Sequence, residues 1–317
     1  AMTDDAAVPP TPSLVSPEPR AIGDALVAPI GFGCWRLTGT DVTAAGRLLD
    51  GAIDAALEGR PDGTRLLVDT ADVYGLDWGG TGFGTVESFL GAVLAADPGR
   101  RARVLLATKG GIRPGVPYDS SPEALTAACA ASRDRLGVDV IDLYQIHRPD
   151  LFTAPSEVAA TLESLLDDGS VGAVGVSNVT VDQYDALAAW LTGGLATTQP
   201  QWSVAHLEPM RDGTLDRAMR DGVTPLAWSP LAGGRVLSGD GLRPELTSVL
   251  DELAAREGVD RSCVALAFLL AHPADAVPIV GTQRAERFAA AMRSATVHLD
   301  RADCYRIVEA SEGVPLP

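Results

Sequence analysis

Past residue 20, short runs rich in β-branched residues and leucine alternate with longer segments in which alanine and leucine are spaced among Glu, Asp and Arg. The short runs have strand length and predict buried strands over residues 30–34, 65–69, 103–109, 140–146, 173–176, 196–199, 224–228 and 277–280. The segments between them predict helices over 44–57, 85–95, 122–136, 156–168, 181–191, 215–220 and 284–293, with an additional helical pair at 245–256 and 262–270 before the last strand. Two helix starts carry explicit signals: Ser121-Pro122-Glu123, a serine cap with proline in the first turn, and Thr180 with Gln183 three residues on. Eight strand–helix alternations without a break in composition predict an α/β fold, one closed (β/α)8 TIM barrel over residues 21–317, with a doubly wound open sheet as the alternative. Residues 1–20, rich in proline, serine and aspartate, read as a flexible arm.

Composition narrows the possible partners. The chain has 317 residues, 46% of them hydrophobic, and a formal charge of −17, which argues against nucleic acid and against an anionic membrane surface. No apolar run reaches the length of a membrane span, and the first residues lack the charged start and apolar stretch of a signal peptide. The four cysteines, Cys34, Cys129, Cys263 and Cys304, have no paired spacing; Cys129 and Cys263 lie in apolar helical runs and read as buried thiols. The expectation is a soluble cytoplasmic protein, monomeric, acting on a small molecule.

A barrel puts its chemistry in the loops at the C-terminal ends of its strands. The second strand ends in Asp69-Thr70-Ala71-Asp72-Val73-Tyr74-Gly75, the third in Lys109, the fourth in Gln145-Ile146-His147-Arg148-Pro149-Asp150, and the fifth in Ser177-Asn178. Lys109 is the only lysine among 25 basic residues. A position that keeps lysine where arginine serves everywhere else points to a need for a compact ammonium. Asp69, Lys109 and His147 fall at one level of three successive strands, with Tyr74 just beyond the first, and together they make a proton-transfer set. A free phenol titrates near ~10. The ammonium is expected to lower that value while Asp69 holds Lys109 charged and His147 orients a substrate oxygen. Such a set protonates a carbonyl oxygen while another agent attacks the carbon. No serine or cysteine nucleophile with a plausible base is visible, and the histidines lack metal-ligand spacing.

These residues resemble the aldo-keto reductase family over nearly the whole chain after the arm, and details such as Cys34-Trp35-Arg36-Leu37 and Ile146-His147-Arg148-Pro149-Asp150 are similar to a bacterial branch of it. The resemblance implies Asp69, Tyr74, Lys109 and His147 as the catalytic tetrad, with NADPH/NADP+ as cofactor. It implies that Ser177, Asn178 and Gln199 hold the nicotinamide carboxamide. The aromatic ring of Trp228 would stack on the nicotinamide, with Ser229, Pro230, Leu231, Gly233 and Gly234 covering the pyrophosphate. Gly281, Gln283 and Arg284 would bind the adenosine 2′-phosphate. Arg284 and Arg287 also concentrate positive charge at the start of the helix after the last strand, where free backbone N–H groups favour an anion. Trp35 is assigned both to the cofactor and to the substrate pocket. One departure stands out: the Glu-Asn pair that contacts adenine in the family is replaced by Ala290-Ala291.

The function expected is reduction of an aldehyde or ketone to an alcohol by hydride transfer from NADPH, with Tyr74 as general acid. Two other functions fit parts of the sequence. A cofactor-binding regulatory or interaction protein would share the fold. A Schiff-base aldolase would use Lys109 as nucleophile, although the Asp69 partner favours the charged and therefore unreactive lysine. Trp35, Trp78 and Trp202 all follow strand ends and predict an apolar pocket tolerant of aromatic substrates.

Overall fold

Alternate side chains along the second and third strands go to opposite faces, and each face has its own core. Leu67, Leu105 and Ala107 join Leu143, Leu226, Val277 and Ile279 in one cluster, while Leu66, Val68, Val104 and Leu106 join side chains of the surrounding helices in another. Strands buried on both faces read as nearly continuous apolar runs, the pattern seen in the sequence. The computed structural model describes residues 11–76 and 79–317. Its barrel strands are β1 (Gly31–Gly33), β2 (Thr64–Asp69), β3 (Val104–Gly110), β4 (Leu143–Ile146), β5 (Val174–Ser177), β6 (Thr197–Gln199), β7 (Thr224–Ala227) and β8 (Val277–Val280). Each pairs in parallel with the next, and β8 pairs with β1, Ile279 opposite Gly31 and Val280 opposite Phe32, so the sheet closes. The TIM barrel is therefore the fold, and the open-sheet alternative is excluded.

The expected helices form, and their starts use the signals in the sequence. Ser121 accepts from the Ala124 N–H at the head of Pro122–Leu136. Thr180 and Gln183 satisfy each other's backbone N–H groups at the head of Val181–Ala188. That helix stops at Ala188, three residues short of the predicted end. The structure adds elements the pattern did not show: the helix Pro98–Arg103, the C-terminal helix Arg301–Glu312 and the hairpin Ile112–Arg113/Val116–Tyr118. A second hairpin, Arg20–Ile22 with Ala25–Val27, pairs through Leu26 and Val27 with Thr64 and Arg65 at the start of β2. It delivers Ile22 and Val27 into the inner core and so plugs the barrel's N-terminal end.

The stretch before that hairpin is tied to the body. The backbone N–H groups of Leu14 and Ser16 donate to the carbonyls of Leu299 and Leu270, and Val15 packs against two core clusters. Residues 14–20 thus differ from the free arm read from composition; residues 1–10 lie outside the described residues. All four cysteines are unpaired, with Cys129 and Cys263 buried as their apolar surroundings suggested. Among the described residues, no helix is long and apolar enough to cross a membrane.

Candidate active site

Strand register brings the chemical groups together. Asp69 lies opposite Gly33 and Ala107, and Lys109 lies opposite Gln145. Both Asp69 and Lys109 point inward and are buried. The Lys109 Nζ donates to Asp69 Oδ2 at 2.7 Å and to the Thr70 carbonyl at 2.9 Å, and stands 3.4 Å from the Tyr74 hydroxyl. The other Asp69 oxygen accepts from Gln199 Nε2 at 3.0 Å and Gln145 Nε2 at 3.4 Å. The neighbouring Gly175 has to be glycine, because a Cβ there would meet Thr197 Oγ1 at 2.0 Å. That narrow waist lets Thr197 reach Gln145 across the barrel at 3.2 Å and steady the amide that faces Asp69.

Tyr74 leaves β2 on a tight turn, its N–H bonded to the Ala71 carbonyl and its own carbonyl accepting from Val86. Gly75 completes the corner at φ +98°, and a Cβ there would lie 2.0 Å from Thr85 Oγ1, so this position is closed to other residues. The His147 ring meets Tyr74 edge to face at 5.9 Å. Its backbone is fixed at both ends, the N–H donating to Gly110 and the carbonyl accepting from Asn178 Nδ2 at 3.2 Å. Asn178 also donates to Ser177 Oγ at 2.8 Å and accepts from Trp228 Nε1 at 2.9 Å. Asn178 and Ser229 adopt left-handed backbone, φ 57° and 50°, uncommon for non-glycine residues and characteristic of sites the surrounding structure over-determines.

Electrostatics follow from burial and from the single ammonium. Burial works against the charge of Lys109, yet Asp69 and the Tyr74 hydroxyl outweigh it and raise the lysine above its ordinary range. Burial pushes the Tyr74 phenol upward, and the opposing pull of Lys109 does not offset it. The sequence argument expects a lowered phenol; the net direction is the reverse, because desolvation of a wholly enclosed ring exceeds one neighbouring charge. Burial, then the charges of Lys109 and Arg148, hold His147 well below the usual histidine range, so at neutral pH its imidazole is uncharged. The set therefore offers a protonated phenol, a neutral imidazole and a charged ammonium, which can donate hydrogen bonds to a developing oxyanion and release one proton to it. A charged lysine in an ion pair cannot form an imine, which removes the aldolase alternative.

Asp69, Tyr74 and His147 line one cavity of about 790 Å³, with Lys109 buried beneath them. Trp35, Ser177, Asn178 and Gln199 line it as well, as do Trp228, Ser229, Pro230, Leu231, Gly233 and Gly234. From the far side come Gly281, Gln283, Arg284 and Arg287, beside Ala290 and Ala291. Arg284 caps the helix Ala285–Met292 and makes a loose surface pair with Glu286 at 3.4 Å. The aromatic pocket read from the sequence loses a wall. Trp202 is completely buried in the core outside the barrel, edge-on to His272 at 5.3 Å, and does not line the cavity. The chain after β6 turns outward there, drawing the indole among Leu207, Leu215 and Phe268. Trp78 lies outside the described residues. Sequence reasoning also passed over Arg36, Ile112 and Arg148, which line the cavity. Arg36 and Arg148 each adjoin a residue that was picked out.

On the opposite face of β3 lies a second buried polar group that the sequence did not reveal. Thr108 Oγ1 donates to Glu87 Oε1 at 2.5 Å, and Arg135 Nε donates to Glu87 Oε2 at 2.7 Å. Asp72 is buried beside them, its N–H bonded to the Lys109 carbonyl. Burial, then the Glu87 charge, push its carboxyl up to about 8.

Comparison with known proteins agrees with the barrel fold. The family model described as "Aldo/keto reductase family" matches residues 29–312. A 6-dehydroglucose reductase of Novosphingobium aromaticivorans is 46% identical over 92% of this chain and 94% of its own length. A protein of the same name from Agrobacterium fabrum is 32% identical over 92% of this chain and 97% of its own. Among solved structures, an aldo/keto reductase of Klebsiella pneumoniae in complex with NADP and acetate superposes with a TM-score of 0.77 at 23% identity, covering 96% of this chain and 98% of that one. The chain belongs to the aldo/keto reductase family of oxidoreductases.

Proposed function

We infer that this protein is an NADPH-dependent carbonyl reductase and that Tyr74 is its general acid. The observation that carries the reading is the placement of Lys109 Nζ, 2.7 Å from Asp69 and 3.4 Å from the Tyr74 hydroxyl, under a cavity large enough for a dinucleotide and a small substrate. The residues fit the cofactor. Trp228 offers a ring face anchored through Asn178, and Ser177, Asn178 and Gln199 cluster amide and hydroxyl groups beside it. Arg284 and Arg287 present guanidinium groups at a helix start, where a phosphate oxygen is favoured, and the ion pair of Arg284 with Glu286 is a loose surface one. Bound there, the nicotinamide supplies the hydride.

The chain's own residues do the remainder. Tyr74 and the neutral His147 hold the carbonyl oxygen, and Tyr74 delivers its proton to that oxygen as negative charge builds. The raised phenol keeps that proton on Tyr74 until it is needed. Lys109 stabilises the phenolate left behind, Asp69 keeps the ammonium in place, and the inner apolar layer below excludes water. The two relatives named for 6-dehydroglucose extend the reading to a sugar carbonyl rather than an aromatic aldehyde, in keeping with the lost tryptophan wall. The test is a panel of aldehydes and ketones followed by NADPH consumption, with both cofactors titrated by fluorescence. Wild type should reduce several of them and bind NADPH at least ~10-fold more tightly than NADH, equivalent to ~1.4 kcal/mol. Tyr74→Phe should lower kcat by at least ~10²-fold with cofactor binding retained. Near-normal turnover by Tyr74→Phe would remove the acid assignment.

A further inference from the structure

His147 and Arg148 are consecutive residues at the end of β4, and both line the cavity with Tyr74. Arg148 is half-buried, and among the described residues it has no hydrogen bond and no ion pair. That is unusual for this chain, which carries 42 acidic residues. Of the other partly buried arginines, Arg65, Arg100, Arg101, Arg135, Arg217, Arg261 and Arg306 hold a carboxylate, while Arg60 and Arg133 donate to the Pro17 carbonyl and the Ser170 hydroxyl. Among the described residues the cavity supplies no such partner for Arg148. Of the two described acids lining it, Asp69 is engaged by Lys109, Gln145 and Gln199, and Asp260 begins the helix that packs against Ala285–Met292, on the Arg284 side. A guanidinium has five donors and no acceptor. Half-withdrawn from water with none of its donors engaged, it favours any ligand that brings acceptor oxygens. Arg148 directly follows His147 and shares one cavity with it and with Tyr74, so a ligand oxygen reaching Arg148 occupies the same cavity as the atoms held by Tyr74 and His147.

We propose that Arg148 is a substrate subsite that takes an acceptor oxygen on a carbon close to the reacting carbonyl, so that the enzyme selects oxygenated aldehydes and ketones over plain alkyl or aryl ones. The inference rests on the reductase reading and names the substrate class for the same cavity. The oxygen has two chemical sources, a hydroxyl or a carboxylate, and both are acceptors for a planar fork of N–H groups.

The experiment measures kcat/KM with NADPH for glyceraldehyde, glyoxylate and propanal, on wild type, Arg148→Met and Arg148→Lys, with thermal unfolding to verify that each variant folds. Wild type should prefer glyceraldehyde or glyoxylate to propanal, and Arg148→Met should cut that preference by about 10- to 100-fold, mainly through KM, the range for a lost hydrogen bond to a charged group. If the carboxylate is the preferred source, Arg148→Lys should recover part of the glyoxylate preference; if the hydroxyl is, the larger loss should fall on glyceraldehyde. A wild-type enzyme that reduces propanal as well as the other two, or a preference unchanged in Arg148→Met, overturns the subsite while the reductase reading stands. Failure of wild type to reduce any of the three, or any member of the broader panel, overturns both.

Discussion

Thr108 and Lys109 are neighbours on β3, and their side chains enter two buried polar clusters of opposite design. Inside the barrel, one ammonium meets one carboxylate, and both oxygens of Asp69 are engaged, one by Lys109 and the other by two glutamines. Outside, two carboxyl groups, Glu87 and Asp72, share one guanidinium, Arg135. Asp72 Oδ1 and the buried Tyr144 hydroxyl have no partner among the described residues. The balanced cluster holds a fixed charge against the Tyr74 phenol. The unbalanced one resolves its excess by keeping a proton on Asp72, whose neighbours are Glu87 and Arg135 from the flanking helices, Lys109 from β3 and Tyr144 from β4. Equal burial therefore gives different chemistry, set by the count of opposite charges: one cluster faces the cavity and, in the proposed reaction, the reacting atoms, and the other belongs to the wall behind it.

Disrupting the inner cluster should have the largest effect. Lys109→Met is expected to lower kcat by at least ~10²-fold, the scale of lost acid–base assistance. Lys109→Arg should not restore it, because a planar fork cannot take the place of a compact ammonium 3.4 Å from a phenol. Steady-state kinetics of both variants decide the matter, and a fully active Lys109→Arg enzyme would mean that charge alone suffices. Disrupting the outer cluster should strike stability instead. Arg135→Met leaves Glu87 enclosed without its guanidinium and should cost roughly 2–3 kcal/mol in urea unfolding. That is below the range for a fully enclosed pair because Arg135 is 23% exposed. The kcat of the folded protein should stay within about threefold of wild type; a collapse of kcat without loss of stability would erase the distinction between the clusters.

The mildest change sharpens the comparison. The Asp72 carboxyl is raised in the folded state to about 8, so the folded protein holds a proton that the unfolded chain, with an ordinary aspartate, releases near ~4. Its contribution to stability is full below the unfolded value and is lost as pH rises through about 8. Between those limits stability should fall with pH, by up to ~1.4 kcal/mol per unit from this one group. Asp72→Asn, which mimics the protonated form, should flatten that slope and raise the thermal midpoint at mildly alkaline pH. An unchanged slope would show that Asp72 does not hold the proton.

The inner cluster could be read in the sequence because each member ends a buried run: Asp69 after Leu66-Leu67-Val68, Lys109 after Leu105-Leu106-Ala107, and His147 after Gln145-Ile146. Parallel strands of similar length bring their ends to one level, so linear position becomes spatial position. The outer cluster had no such signal. Glu87 and Arg135 are 48 residues apart on different helices, and nothing in either local pattern says they meet. Trp202 misled for a related reason: a residue just past a strand end can turn into the mouth or away from it, and packing against Phe268 and His272 decided that. The N-terminal hairpin went unseen because strands of three residues are too short to show a period.

The plug made by that hairpin makes the barrel a blind alley. Ile22 and Val27 share one buried cluster with Leu67, Leu105 and Leu143, so among the described residues a layer of apolar side chains lies below Lys109. Among the described residues, the mouth that ligands would use is then the open side of the site as well. In the proposed reaction, a Tyr74 phenol that has given up its proton would regain it through that mouth, which would couple recovery of the acid to departure of the product.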